Sequence, residues 1–126
     1  MRKRGVLFAF FFPDCCTRIK VGFTKGHSNG AFKLHPYVFT FFTKQAGEVN
    51  GRAHYTSEDG RFALAFCGDS WWVQSDASRG ECVGWGHSGW REDACVEDID
   101  YTWRYYIPSV DSFVEAHKGL SVWCKD

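Results

Sequence analysis

The chain has 126 residues, no net charge, 44% hydrophobic and 18% aromatic residues. That length holds a single domain, and its apolar run at residues 5–12 falls far short of the roughly 20 residues a membrane-spanning helix needs. The neutrality is a cancellation: residues 1–46 carry eight Lys+Arg against one acid, residues 47–126 carry seven against fourteen, and all six tryptophans lie in the second part.

The first part therefore reads as a basic, Phe-rich leader. Arg2, Lys3 and Arg4 precede Gly5–Phe12 in the order of a secretory signal, although Pro13-Asp14 breaks the run and no small-x-small cleavage site follows. Arg18 and Lys20 alternate with Ile19 and Val21, which is a strand pattern. Tyr37–Thr43 is a second β-prone run with no charge until Lys44, an aggregation hazard if left exposed. This segment is expected to add one or two strands, or to lie outside the folded domain altogether. Its charges are scattered through apolar runs rather than clustered, so nucleic acid is not an expected partner.

Residues 47–126 read as a compact acidic domain. Arg52–Thr56 is a short strand, and Asp59-Gly60 supplies a tight hairpin turn. Arg61–Cys67 follows, with Phe62, Leu64 and Phe66 on one face at period two. Trp71–Ser75 is the next strand, with Trp71 and Val73 on one side and Trp72 on the other. Asp76–Trp90 is a long Gly-rich loop, a length that usually marks function or disorder. Arg91–Asp100 is acidic, with room for one helical turn. Tyr101–Tyr106 is a strand carrying Tyr101, Trp103 and Tyr105 on one face. Ser112–Ala116 and Leu120–Cys124 are expected to form a last hairpin through Lys118-Gly119. Short strands with frequent turns predict an all-β fold: a small antiparallel sheet or partly closed barrel of about five to seven strands, with little helix.

About 80 residues bury only about 60–65% of their unfolded surface, so aromatic packing and cysteine cross-links are the expected reinforcements. Cys67, Cys82, Cys95 and Cys124 are candidates for up to two disulfides, and spacing does not choose among the three pairings. A Cys82–Cys95 bridge would close the second half of the Gly-rich loop. Adjacent Cys15 and Cys16 have poor geometry for bonding each other or for sharing one ion. The long gaps between cysteines disfavour zinc, which usually takes close pairs. Disulfides imply a secreted or extracellular protein; a cytoplasmic domain with free thiols is the alternative.

Asn50-Gly51-Arg52-x-x-Tyr55, then Glu58-Asp59-Gly60-Arg61, Leu64 and Trp71-Trp72-Val73, resembles a small Trp-rich all-β repeat module of eukaryotic extracellular multidomain proteins. The likeness covers roughly residues 47–124, with Glu97-Asp98-Ile99, Trp103 and Val122-Trp123-Cys124 in the later positions. Ala53 stands where that module usually has proline, and Ala65-Phe66 where it has tyrosines. The resemblance implies a β fold and attaches no catalytic residue.

Six tryptophans are more than this domain can hide. Trp71, Trp103 and Trp123 are expected in the core. Trp72 faces the other side of its strand, and Trp85 and Trp90 lie in the Gly-rich loop beside His87 and Arg91. Trp72, Trp85, His87, Trp90 and Arg91 are therefore the candidate ligand-binding residues, for a glycan or a protein partner, since indole is a large rigid contact surface. No cofactor motif is present: there is no P-loop, no G-x-G-x-x-G after a strand and no zinc spacing of histidines. Glu92, Asp93, Glu97, Asp98 and Asp100 read as a solvated acidic face rather than a calcium site or a glycosidase pair. The expected function is a non-catalytic interaction module; the alternative is a small hydrolase-like enzyme built on the 82–100 loop, with His87, Ser88, Cys82 and Asp93 near one another.

Overall fold

The computed structural model describes residues 15–23, 40–91, 93–99, 103–107, 111–115 and 120–125. Nine strands form one antiparallel sheet: β1 (Arg18–Phe23), β2 (Phe41–Lys44), β3 (Tyr55–Ser57), β4 (Phe62–Cys67), β5 (Ser70–Ser75), β6 (Gly86–His87), β7 (Arg104–Ile107), β8 (Ser112–Glu115) and β9 (Leu120–Cys124). Their order is β8-β7-β6-β5-β4-β3-β2-β1-β9. Short 3₁₀ turns at Asp76–Ser78 and Val96–Asp98 are the only helical elements among the described residues, and none is long and apolar enough to cross a membrane.

Connectivity requires the sheet to curl. Laid flat, eight strand spacings would separate β8 from β9 by about 38 Å. The chain from Glu115 to Leu120 reaches at most about 18 Å. The result is a half-barrel whose concave side is the core. Ile19, Val21, Phe42, Tyr55, Leu64, Trp71, Val73 and Val122 point into it, and Val96, Ile99 and Trp103 pack there from the 95–103 stretch.

Local chemistry explains the tight connections. Asn50 and Gly51 take positive φ of 53° and 81°, a reversal bracketed by the Val49–Arg52 bridge. Asparagine and glycine tolerate that region best. The Asn50 side chain also donates to the carbonyls of Phe66 (2.7 Å) and Gly80 (2.9 Å), linking this turn to β4 and to the 76–84 loop. At the β3–β4 turn, the Asp59 carboxylate accepts the Ser57 hydroxyl and the Arg61 N–H. These bonds hold its carboxyl below the usual value, the Arg61 N–H contributing most.

All six cysteines are paired, as Cys15–Cys95, Cys16–Cys124 and Cys67–Cys82. The sequence left the pairing of Cys67, Cys82, Cys95 and Cys124 open, and the expected maximum of two disulfides among them is corrected to three that also use Cys15 and Cys16. Cys82 bonds Cys67 rather than Cys95, because the Gly-rich loop folds back over the end of β4 rather than closing on itself. Cys15 and Cys16 are both used: neighbours in extended chain point to opposite sides, so each reaches a different element. They clamp the entry to β1 onto the 95–99 stretch and onto the end of β9. The Cys16 N–H donates to Glu97 Oε2 at 2.8 Å, and the Tyr55 hydroxyl donates to the Cys16 carbonyl at 2.7 Å. Glu97 lies close to the sulfurs of Cys15 and Cys95, but those two atoms are bonded to each other.

Three further points concern the sheet. The composition shift at 46/47 is no break in it: β2 pairs with β3 across that point, Phe42 opposite Ser57. The last two strands are not a hairpin in the described ladders, since β8 pairs with β7 and β9 with β1. The Gly-rich loop is not featureless, because it contains a 3₁₀ turn and β6. The signal-like segment lies outside the described residues.

Candidate functional site

Strand alternation sends Trp71 and Val73 of β5 inward and Trp72 and Gln74 outward. Register then assembles an aromatic cluster on the convex face. Trp72 pairs with His87, His87 with Arg104, and Tyr106 with Phe113. The His87 ring lies 4.9 Å from Trp72 and 4.6 Å from Phe113, and Tyr106 lies 5.5 Å from Phe113. Edge-to-face and tilted contacts of this kind are worth about 0.5–1.5 kcal/mol beyond burial.

A groove of about 360 Å³ runs beside this cluster, lined by Trp72, Val83, Gly84, Trp85, Tyr106 and Phe113. Its wall is the 80–84 loop, held rigidly. The buried Gln74 amide donates to the carbonyls of Glu81 (2.8 Å) and Val83 (2.7 Å), and its oxygen accepts the Gly80 N–H at 2.9 Å. The Cys67–Cys82 disulfide ties the same loop to β4. Arg79 anchors its base, donating to Tyr55 O, Thr56 Oγ1, Asp76 and His54 Nδ1. Gly84 is required by proximity: a Cβ there would sit 2.3 Å from the Val73 carbonyl oxygen. The close approach lets the Trp85 N–H donate to that oxygen at 2.8 Å, while the Trp85 ring packs edge-on to Phe62 at 5.2 Å.

The five predicted binding residues divide. Trp72 and Trp85 line the groove, and His87 stacks between two of its walls. Trp90, 78% exposed, and Arg91 lie elsewhere. Arg91 grips the Asp93 carboxylate through Nε (2.8 Å) and a terminal nitrogen (3.0 Å), and its N–H donates to Asp69 O. The Asp93 carbonyl in turn accepts the Trp71 indole N–H at 3.1 Å, so Arg91 braces the core. Trp123, expected in the core, is 36% exposed on the convex face, whereas Trp71 and Trp103 are buried. Gln74, Val83, Tyr106 and Phe113 were not singled out from sequence. Alternation alone put Tyr106 opposite Tyr105; only register places it beside Phe113.

The groups of the hydrolase reading have other duties. Cys82 is in a disulfide. The buried Ser88 hydroxyl accepts the Trp71 N–H at 2.9 Å and donates to the Gly89 carbonyl. His87 Nδ1 accepts the Gly89 N–H at 3.0 Å, which leaves Nε2 as the donor of the neutral ring.

Burial pushes the His87 pKa down, the nearby Arg104 adds to this, and Asp69 opposes it. The neutral ring is thus favoured in the fold. Its stabilisation is present above the unfolded-state value, near 6.5, and is lost as pH falls through and below that value. Unfolding followed between about pH 7.5 and 5 should show stability falling with acidification, and His87→Gln should flatten the slope. An unchanged slope in that variant would contradict the assignment.

A larger cleft, about 580 Å³, lies at another end of the sheet between Lys44, Gln45, Arg52, Ala53 and Ala94. Its cations are committed. Arg52 lies 4.5 Å over the Phe66 ring and donates to Asp93 O, and the Lys44 ammonium donates to Cys15 O at 3.5 Å. The smaller aromatic groove is the better candidate. No family model, curated protein or solved structure matches the chain.

Proposed function

We propose that this protein is a non-catalytic recognition module that takes a glycan into the convex aromatic groove. The observation that carries the reading is the groove itself: Trp72, Tyr106 and Phe113, with Val83 and Trp85, line a volume at the lower end of small-ligand pockets. A sugar ring has an apolar face that lies on such rings and a polar edge that needs donors and acceptors. The Tyr106 hydroxyl, hydrogen-bonded to Asp111, and the His87 Nε2 donor supply polar groups beside the carbon surface. The Asp111 contact also raises the Tyr106 pKa, keeping the hydroxyl protonated.

Preorganisation supports the same reading. The wall is fixed by a disulfide and by the Gln74 amide, so a ligand would spend little free energy ordering it. Three disulfides are consistent with an oxidising, extracellular setting, where glycans are displayed. The resemblance of residues 47–124 to extracellular repeat modules points the same way.

The test is an array of neutral oligosaccharides followed by titration of any hit. Phe113→Ala should weaken binding about tenfold or more, the effect of losing about 1.4 kcal/mol of contact, and Trp90→Ala should not. Equal loss at Trp90 and none at Phe113 would move the site away from the groove. Glycan turnover by the folded protein would replace recognition with catalysis.

A further inference from the structure

A second surface lies on the convex face at the other end of the strand order, formed by β9, β1 and β2. Ile19 and Val21 of β1 are fully in the core, so Arg18 and Lys20 share the outer face. Register adds residues that sequence keeps far apart. Lys20 stands opposite Trp123 of β9 and Phe41 of β2. One step beyond the Ile19–Cys124 pair, the exposed Lys125 comes opposite Arg18, and its N–H donates to the Arg18 carbonyl at 2.8 Å.

Two rings lie among these cations. The Arg18 guanidinium sits 4.0 Å and the Lys20 ammonium 5.5 Å from the Phe41 centroid. Trp123, 36% exposed, lies over Gly22, where an added Cβ would meet its ring at 3.3 Å. The acid here is Glu58, paired with Arg18 at 3.1 Å with both side chains about half exposed. Among the described residues no carboxylate ion-pairs with Lys20 or Lys125. Among the described residues Glu58 offsets one of the three positive charges, which leaves Lys20 and Lys125 to attract an anion.

We propose that this β9–β1–β2 face binds a sulfated or carboxylated polysaccharide. Charge complementarity selects a polyanion: the backbone positions of the three basic residues lie within about 7 Å along the strand and about 5 Å across it. The neighbouring Phe41 and Trp123 rings offer apolar contact to sugar faces between the anionic groups. The disulfide-bonded setting favours a polysaccharide over a nucleic acid. This surface is independent of the groove on β5–β8.

The probe is heparin, titrated into the oxidised, full-length protein, with desulfated heparin alongside. Expected is binding to heparin at about 50 mM salt that weakens roughly tenfold or more by about 500 mM as screening shortens the reach of the charges. Lys20→Glu with Lys125→Glu should abolish most of it, and Trp123→Ala should weaken it severalfold. Phe113→Ala, in the groove, should leave it unchanged, which separates failure of this surface from failure of the other. Circular dichroism of each variant establishes that it is folded. Three results would overturn the proposal: no heparin binding at low salt, undiminished binding in the folded charge-reversal variant, or single-stranded DNA binding as tightly as heparin.

Discussion

Replacing Cys16 and Cys124 together with alanine is expected to destabilise the oxidised domain by about 3–4 kcal/mol, and removing the Cys15–Cys95 bridge as well is expected to unfold it. The two cross-links span 108 and 80 residues of sequence. Taken alone, each would restrict a very long unfolded loop. They are not alone, because Cys15 and Cys16 are neighbours. While Cys15–Cys95 is intact, the loop that Cys16–Cys124 closes runs only from Cys95 to Cys124, about 30 residues, which sets the estimate for the first removal. Losing both frees the 80-residue loop too, at a further cost of about 4 kcal/mol. A domain this small has a total stability of about 5–15 kcal/mol. Urea unfolding of the single-bridge and double-bridge variants measures this directly. Single-bridge losses that add up to the double-bridge loss would show that the two do not share one loop in the unfolded chain.

Gly84→Ala is expected to cost about 2–4 kcal/mol, combining overpacking with the loss of a backbone hydrogen bond. The added methyl would approach the Val73 carbonyl oxygen to 2.3 Å and the Gln74 Cβ to 3.2 Å. The first obstacle is backbone, so no rotamer change relieves it. The loop would have to lift from β5, parting the Trp85 N–H from the Val73 carbonyl and straining the Gln74 amide against Glu81 and Val83. The groove wall would move with it, so ligand affinity should fall together with stability. Gly22→Ala is the control. Its Cβ would meet only the surface Trp123 ring at 3.3 Å and the end of the Lys20 side chain, both free to shift, and should cost under about 1 kcal/mol. Comparable thermal midpoints for the two variants would contradict the close-approach account.

The strands were largely legible because alternation is a local signal. Phe62, Leu64 and Phe66 on one face, and Trp71 with Val73 opposed to Trp72, follow from period two alone. Pairing was not legible where partners are distant. Nothing local to Leu120–Cys124 says that it joins β1, about a hundred residues earlier, rather than the adjacent β8. The basic composition of residues 1–46 hid the fact that Ile19, Val21 and Phe42 belong to the same core as Trp71. The cysteine pairing was not legible for a related reason. Spacing left the three pairings of Cys67, Cys82, Cys95 and Cys124 open, and the long-range partners follow from where the entry to β1 meets β9 and the 95–99 stretch. Half of the groove was visible as Trp72 and Trp85; the other half, Tyr106 and Phe113, emerges only from the β6–β7–β8 register. Trp90 and Arg91 are near Trp85 in sequence, yet β6 and the positive-φ Gly89 carry them away from it.

Six indole N–H groups give six separate reporters of where a ligand lands. The most direct test is a nitrogen-15 NMR titration of the indole signals with the best oligosaccharide from the array. Trp72 and Trp85 should shift, because both line the groove. Trp71, whose indole is held by the Asp93 carbonyl inside the core, should stay in place. Shifts confined to Trp90, with Trp72 and Trp85 unmoved, would contradict recognition in the convex groove.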